Sequence, residues 1–392
     1  MSGEAGRPDR EAWVELASVT GIGDERFAWL LGRYGDPVEV LRVARDGGLR
    51  PSRELPVATV AALEVAARSP GVLSARLRAL DVWTLTPFDA AYPERLASLE
   101  SPPPVLYGRG DPAALSATRA VALVGTRRPT LAGRTLAARV AVRLVECNAV
   151  VVSGLAFGVD GAGHAATLEA GGRTVAVIGG GHAFLGPRAH EPLARRIAEQ
   201  GGAVVAELPP DAIPTRGTFP RRNRIISALS DAVIVVEAPR RSGALITARL
   251  ALEAGLVVLV APGRPGDPTT AGCLALLRET PARPLVGLDE LVVDLGFAQQ
   301  PESRAQARSD RGSLDRDTAM ALLGQAEAAV ARAVVAGAGS PDLLAVRTGL
   351  EPSVVAVAVT LLQLRGWVQA FGPGLLPAGP LLVQAPRAVS DP

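Results

Sequence analysis

Between residues 82 and 297 short apolar runs alternate with longer segments whose apolar positions recur at helical spacing. The runs at 120–125, 149–153, 173–178, 203–206, 232–237 and 256–261 predict strands. The segments at 131–147, 160–171, 190–200, 222–229, 244–255 and 271–279 predict helices. Runs that are apolar at every position, such as 233–236, fit a parallel sheet covered on both faces. The expectation is an α/β domain, doubly wound and mostly parallel, with a Rossmann-like core. Its ligand should sit at the carboxyl ends of the strands.

The flanks read differently. Residues 1–80 form a small helical unit behind a polar start. Within it, 16–35 reads LASVTGIGDERFAWLLGRYG, with two glycines around Ile22 and then Phe27, Leu30 and Leu31 on one helix face. This fits a helix-hairpin-helix or SAM-like unit, and equally a plain helical turn. Only Arg26 and Arg33 lie close by, so a DNA contact there would be weak. Residues 81–297 form the core. The polar run 298–317 reads as a linker. Residues 318–380 suggest three helices and a wing, a winged-helix pattern. Its presumed recognition helix, 353–364, has no cation, which favours a protein-contact or structural role over groove reading. Residues 381–392 read as a flexible tail.

Composition narrows the classes. No 18-residue apolar run is free of charge, so no membrane span is expected, and the polar start is no secretory signal. The two cysteines, Cys147 and Cys273, lie in apolar contexts and read as buried thiols of a cytoplasmic protein. Net charge is only +2, but its distribution is uneven. Residues 112–145 hold six arginines (Arg119, Arg127, Arg128, Arg134, Arg139 and Arg143) and no acid. The stretch between residues 211 and 231 holds Arg216, Arg221, Arg222 and Arg224, again without an acid. Every cation is arginine, whose planar fork suits phosphates and stacks on bases.

The chemistry-bearing segments are strand-to-helix turns: VALVGTRRPTLAG (121–133), VVVSGLAFGVDGAGH (150–164), FPRRNR (219–224) and VIVVEAPRRSGALITA (233–248). Such turns aim backbone N–H groups and a helix dipole at an anion. Several on one sheet edge, each with arginine, fit a ligand carrying several phosphates, hence a nucleic acid. Arg127, Arg216, Arg222 and Arg224 can hold phosphates, although salt bridges are the ordinary use of Arg222 and Arg224. Gly125, Ser153, Gly154, Ser242 and Gly243 can supply close approach, N–H or hydroxyl donors. Phe219, in a polar turn, can stack a base or bury itself under its loop. Asn223 can join the site or cap the following helix. Asp160 and His164 share a helix face, but no third partner for acid–base work is apparent, and Asp160 reads as a helix N-cap. No catalytic residue, metal site or cofactor is expected.

In order and spacing these motifs resemble the DNA-processing protein A (DprA/Smf) family across roughly residues 82–290. YPERL (92–96) and PPPVLYGRGD (102–111) fit its lead-in. Gly125, Arg127, Thr130 and Gly133 fit its first turn. Ser153, Gly154, Ala156, Gly158, Asp160 and His164 fit its second, and Phe219, Pro220, Arg222, Asn223 and Arg224 its third. Ser242, Gly243, Leu245, Thr247 and Ala248 fit its fourth, followed by Pro262 and Gly263. Departures from the pattern are Ala132, Ala244, Gly186, Leu274 and Thr280-Pro281. The resemblance implies sequence-independent binding of single-stranded DNA, with Thr247 joining the site. It also implies loading of the RecA recombinase during transformation or recombination, and a homodimer formed through the core. The alternative is a nucleotide-processing enzyme of the lysine-decarboxylase-like phosphoribohydrolase group. Their Pro-Gly-Gly-x-Gly-Thr motif is missing, since Arg264 and Pro265 follow Pro262-Gly263. A dinucleotide oxidoreductase is disfavoured too, because 121–133 is not G-x-G-x-x-G.

Overall fold

The structure is a computed structural model and describes residues 9–297, 316–371, 374–378 and 381. The core carries a nine-stranded sheet. Its strands are β1 (Trp83–Leu85), β2 (Leu106–Gly110), β3 (Ala120–Val124), β4 (Val150–Ser153), β5 (Thr174–Ile178), β6 (Ala203–Ala206), β7 (Ala232–Val235), β8 (Val257–Val260) and β9 (Arg283–Pro284). Their order is β1-β2-β6-β5-β4-β3-β7-β8-β9. From β6 to β9 the neighbours are parallel. β2 runs antiparallel to β6, and β1 to β2. Ala122 of β3 pairs with Val152 on one side and Val233 on the other. The chain therefore winds both ways from β3, and a crevice opens between β3 and β7 where the winding reverses.

The six strands expected from the apolar runs are the parallel centre of this sheet. Three further strands, β1, β2 and β9, had no expectation, being short or following the prolines at 102–104. Helices α7 (Leu131–Glu146), α8 (Val159–Glu169) and α9 (Glu191–Glu199) cover one face; α10 (Thr218–Ala228), α11 (Ala244–Glu253) and α12 (Ala271–Glu279) cover the other. The central strands β3, β4 and β7 are buried throughout, which is why they read as unbroken apolar runs. Cys273 is buried and Cys147 partly so; both are free thiols.

Five helices precede the sheet, from Arg10–Ala17 to Val72–Ala79. Their core is aromatic: Trp13 meets Phe27 edge-on at 4.7 Å and Phe88 at 4.6 Å. Trp13 Nε1 donates to Pro104 O at 2.7 Å, tying the helices to the approach to β2. The Gly-Ile-Gly turn leads into Asp24, whose carboxylate meets Arg221 at 2.5 Å and Arg224 at 3.3 Å. Glu207 closes the cluster on the same two arginines. The turn thus packs on the core, joined to it through Asp24.

After residue 316 the helices Gln325–Val335, Pro341–Thr348 and Pro352–Leu364 enclose an apolar core with the hairpin Val368–Phe371 and Gly374–Pro377. Leu376 of that hairpin packs against the N-terminal helices. Most of the 298–317 stretch and the tail lie outside the described residues. Among those described, no single helix is long and apolar enough to cross a membrane.

Candidate nucleic-acid interface

The crevice at the switch point is a cavity of about 360 Å³. Four chain segments build it. The first is the β3–α7 turn. Gly125 lies on the wall and Arg127 stands exposed above it. The turn is fixed from below by Glu237, which is 2% exposed. Its backbone carbonyl accepts from Thr126 N at 2.6 Å and its Oε2 accepts from Thr130 N at 3.0 Å. Thr130 in turn caps α7, its hydroxyl accepting from Gly133 N at 3.0 Å.

The second segment is the β4–α8 turn. Ser153 is fully buried, and its hydroxyl donates to Leu123 O at 2.6 Å. Asp160 Oδ2 accepts from Gly154 N at 3.1 Å and from Ala156 N at 3.4 Å. Asp160 is therefore not the N-cap of its own helix; that position is Gly158. Instead it holds the preceding loop, because from the first turn of α8 its carboxylate points back at the loop amides. Gly158 has φ +84°, and a β-carbon there would meet Thr126 O at 2.3 Å. Only glycine lets the two turns touch.

The third is α10, which begins at Thr218 and not at 222. The FPRRNR motif is accordingly the first turns of a helix. Pro220 is tolerated there because its missing N–H would have had no helical partner. Phe219 is half-buried, the Cδ1–Cε1 side of its ring against Gly179, and the Arg127 guanidinium stands over one face at 5.3 Å from the centroid. One turn on, Arg222 is buried against Gly154, where a β-carbon would come within 1.6 Å of Arg222 Nη1. Asn223 is not a cap. It lies inside α10, and its Nδ2 donates to Gly243 O at 3.1 Å, joining α10 to the next turn.

That next turn, between β7 and α11, supplies Arg241, Ser242 and Gly243 to the wall, and the first turn of α11 supplies Thr247. The charge balance inside the cavity is three guanidinium groups, Arg127, Arg222 and Arg241, to one carboxylate, Asp160. Burial pushes the Asp160 carboxyl up, while Arg222 and the loop amides pull it down. Burial lowers Arg222 to about 10, so it remains a cation at neutral pH.

Of the residues expected from sequence, Gly125, Arg127, Phe219, Arg222, Asn223, Ser242, Gly243 and Thr247 line this one cavity. Gly154 stands behind Arg222. Ser153 is adjacent, with its hydroxyl already engaged. Arg216 is exposed on the loop before α10 and does not line the cavity. Arg224 points away, into the cluster with Asp24 and Glu207. Sequence reasoning passed over Arg241 and Glu237. Arg241 was legible as the residue before Ser242; Glu237 reads only as the end of an apolar strand. His164 and His182 are buried core histidines, Nδ1 of His164 lying 2.7 Å from Thr174 Oγ1. Among the described residues no group of three or more His, Cys, Asp or Glu could hold a metal ion.

Residues 83–296 match the family described as DNA recombination-mediator protein A. A relative from Mycobacterium tuberculosis is 36% identical over 374 residues, 92% of each chain. Two solved structures share the fold. DNA processing protein A (DprA) from Streptococcus pneumoniae superposes with a TM-score of 0.59 and 28% identity, over 73% of this chain and 98% of that one. The Helicobacter pylori DNA processing protein A, described for its single-stranded DNA binding mode, gives a TM-score of 0.51 and 30% identity over 56% of this chain and 97% of that one. Together with the sheet order and the ordered turns at its switch point, these matches make the chain a member of the DNA recombination-mediator protein A, or DprA/Smf, family.

Proposed function

We propose that this chain binds single-stranded DNA without reading its sequence, at the crevice between β3 and β7. The observation that carries this reading is the Arg127–Phe219 pair. A guanidinium over a half-exposed ring offers a phosphate contact and a stacking face side by side at the mouth of a cationic cavity. The likeness to the H. pylori protein supports it further. Gly125, Arg222, Asn223, Ser242, Gly243 and Thr247 form the wall, with Gly154 behind them, and Arg216, on the exposed loop before α10, adds charge outside it. Arg224 and Ser153 act through position, one in the ion cluster and one under the second turn.

Delivery of the bound strand to the RecA recombinase in transformation or recombination is the step the family resemblance implies, and the family's description as a recombination mediator supports a part in recombination. The working form is a dimer through the core, in the cytoplasm, and a longer strand bridging two crevices gains avidity. The units are 1–80, 81–297 and, after a linker, a winged-helix-like 318–380. Binding and not catalysis is the role, with no cofactor. Among the described residues the cavity wall carries one carboxylate, Asp160, and it is spent on the Gly154 and Ala156 amides. The test is a fluorescence titration with single-stranded, duplex and nucleoside-monophosphate competitors. Single strand should compete best, with log K falling against log salt at a slope near −3 for roughly four phosphates. A duplex preference or a flat salt response overturns the reading; competition by the monophosphate alone favours the nucleotide enzyme.

A further inference from the structure

Beyond the β3–α7 turn, on the other side of Arg127, lies a second and larger hollow of about 930 Å³. It is bounded by α7, α8 and α9, and Arg127 lines both spaces. Arg128, Arg134 and Arg196 line it as well, against a single acid, Glu169. Among the described residues none of these four arginines has a carboxylate within salt-bridge range. On its wall Phe157 is 47% exposed, large for a phenylalanine in a folded core. Its ring meets His190 edge-on at 4.9 Å, and His190 is held by Leu155 O, which accepts from Nδ1 at 3.0 Å. An edge-on partner holds the phenylalanine ring in place and leaves a face of it exposed.

We infer that this groove is a second single-strand subsite, in which the strand leaving the switch-point crevice crosses Arg127, stacks a base on Phe157 and lays its phosphates on Arg128, Arg134 and Arg196. The inference rests on the proposed single-strand reading of the crevice and extends it along the chain. Three features point to the same occupant. The free guanidinium groups want a polyanion, and arginine suits phosphate. The exposed ring wants a flat apolar partner, and every base has one. The shared Arg127 makes the groove continuous with the crevice, and Gly158, lining the groove, touches the Thr126–Arg127 backbone that divides the two.

The experiment measures affinity for oligothymidylates from about 3 to about 15 nucleotides, with wild type, Phe157→Ala, Phe157→Trp and Arg134→Ala. Phe157→Ala should weaken the longest strand about 5- to 150-fold, the worth of one stacked base, and leave the shortest unchanged. Phe157→Trp, which keeps a ring face, should retain wild-type affinity. Arg134→Ala should reduce the salt slope for the long strand by about 0.7. Phe157 and Arg134 are both exposed, so thermal stability should stay at the wild-type value. Unchanged long-strand affinity in both Phe157→Ala and Arg134→Ala overturns the inference, as does an equal loss at every length. If wild type binds the short strand but shows no gain with length, the crevice reading stands and the groove falls. If it binds no single strand at all, both fall.

Discussion

Replacing Phe219 separates the packing of this ring from its proposed use. The Cδ1–Cε1 side of the ring lies against Gly179, and the Arg127 guanidinium covers one face at 5.3 Å from the centroid. Because the ring is only half-buried, Phe219→Ala should cost stability half the range for a fully buried ring, roughly 1.5–2.5 kcal/mol. Loss of a stacked base should cost binding about 1–3 kcal/mol, a 5- to 150-fold weaker Kd. Phe219→Leu is the sharper variant. It keeps an apolar side chain over Gly179 but has no π face, so it should melt close to wild type and bind as weakly as the alanine variant. In a double-mutant cycle with Arg127→Ala, the coupling should be about 0.5–1 kcal/mol, the worth of an exposed cation–π contact. Fluorescence anisotropy with a labelled single strand gives the affinities, and thermal melting controls for folding. Phe219→Leu at wild-type affinity would refute the stacking role, and zero coupling would refute the pairing with Arg127.

Other expectations follow from the same geometry. Gly154→Ala sets a β-carbon 1.6 Å from Arg222 Nη1, so Arg222 must leave its seat; a loss of about 1–3 kcal/mol in stability and a salt slope shallower by about 0.7 are expected, and a wild-type melt would contradict the packing. Burial lowers His164 to about 3 and His182 to about 4, so the unfolded chain binds their protons first. Stability should be flat above about pH 6.5 and fall below it, by up to about 1.4 kcal/mol per unit for each histidine until pH about 4; urea midpoints equal at pH 7 and 5 would exclude this. For the proposed dimer, light scattering on the full chain at tens of micromolar should give twice the monomer mass. Leu274→Asp, on the partly exposed face of α12, should halve it; a wild-type monomer would reject the interface.

The parallel centre of the sheet was legible because burial on both faces leaves strands apolar at every position, a signal that needs no partner to interpret. β1 and β2 were not, since three and five residues around a proline run show no period. The start of α10 was missed for a similar reason: TFPRRN has no apolar stripe, and its helical state depends on the Thr215–Thr218 hydrogen bonds and on packing against Gly179. Site residues in glycine turns were readable, because a turn at the end of a buried strand has few other uses. Glu237 was not readable. Its work is to hold the Thr130 amide, 107 positions earlier in the chain, and nothing local to 233–237 records that.

The acid-free arginine stretches teach the limit of charge patterning. An absence of acids along the chain does not mean an absence in space. Arg221 and Arg224 meet Asp24 from the N-terminal helices and Glu207 from beyond β6, and Arg143 meets Glu146 and Asp289. These cations hold the fold together and have little left for a ligand. Arg127, Arg128, Arg134 and Arg216 come from the same stretches, yet they stand exposed with no carboxylate in salt-bridge range among the described residues. What separates the two groups is position. Those on or beside the loops at the carboxyl ends of the strands stay free, while those on helix flanks are neutralised by acids of their own helix or of the segments packed against it. A parallel sheet puts its helix N-termini, and their partial positive charge, at that same edge. Adding unpaired arginines there raises the field where an extended polyanion can meet it, and pairing the rest elsewhere keeps the molecule near neutral, so that attraction is confined to one edge of the sheet.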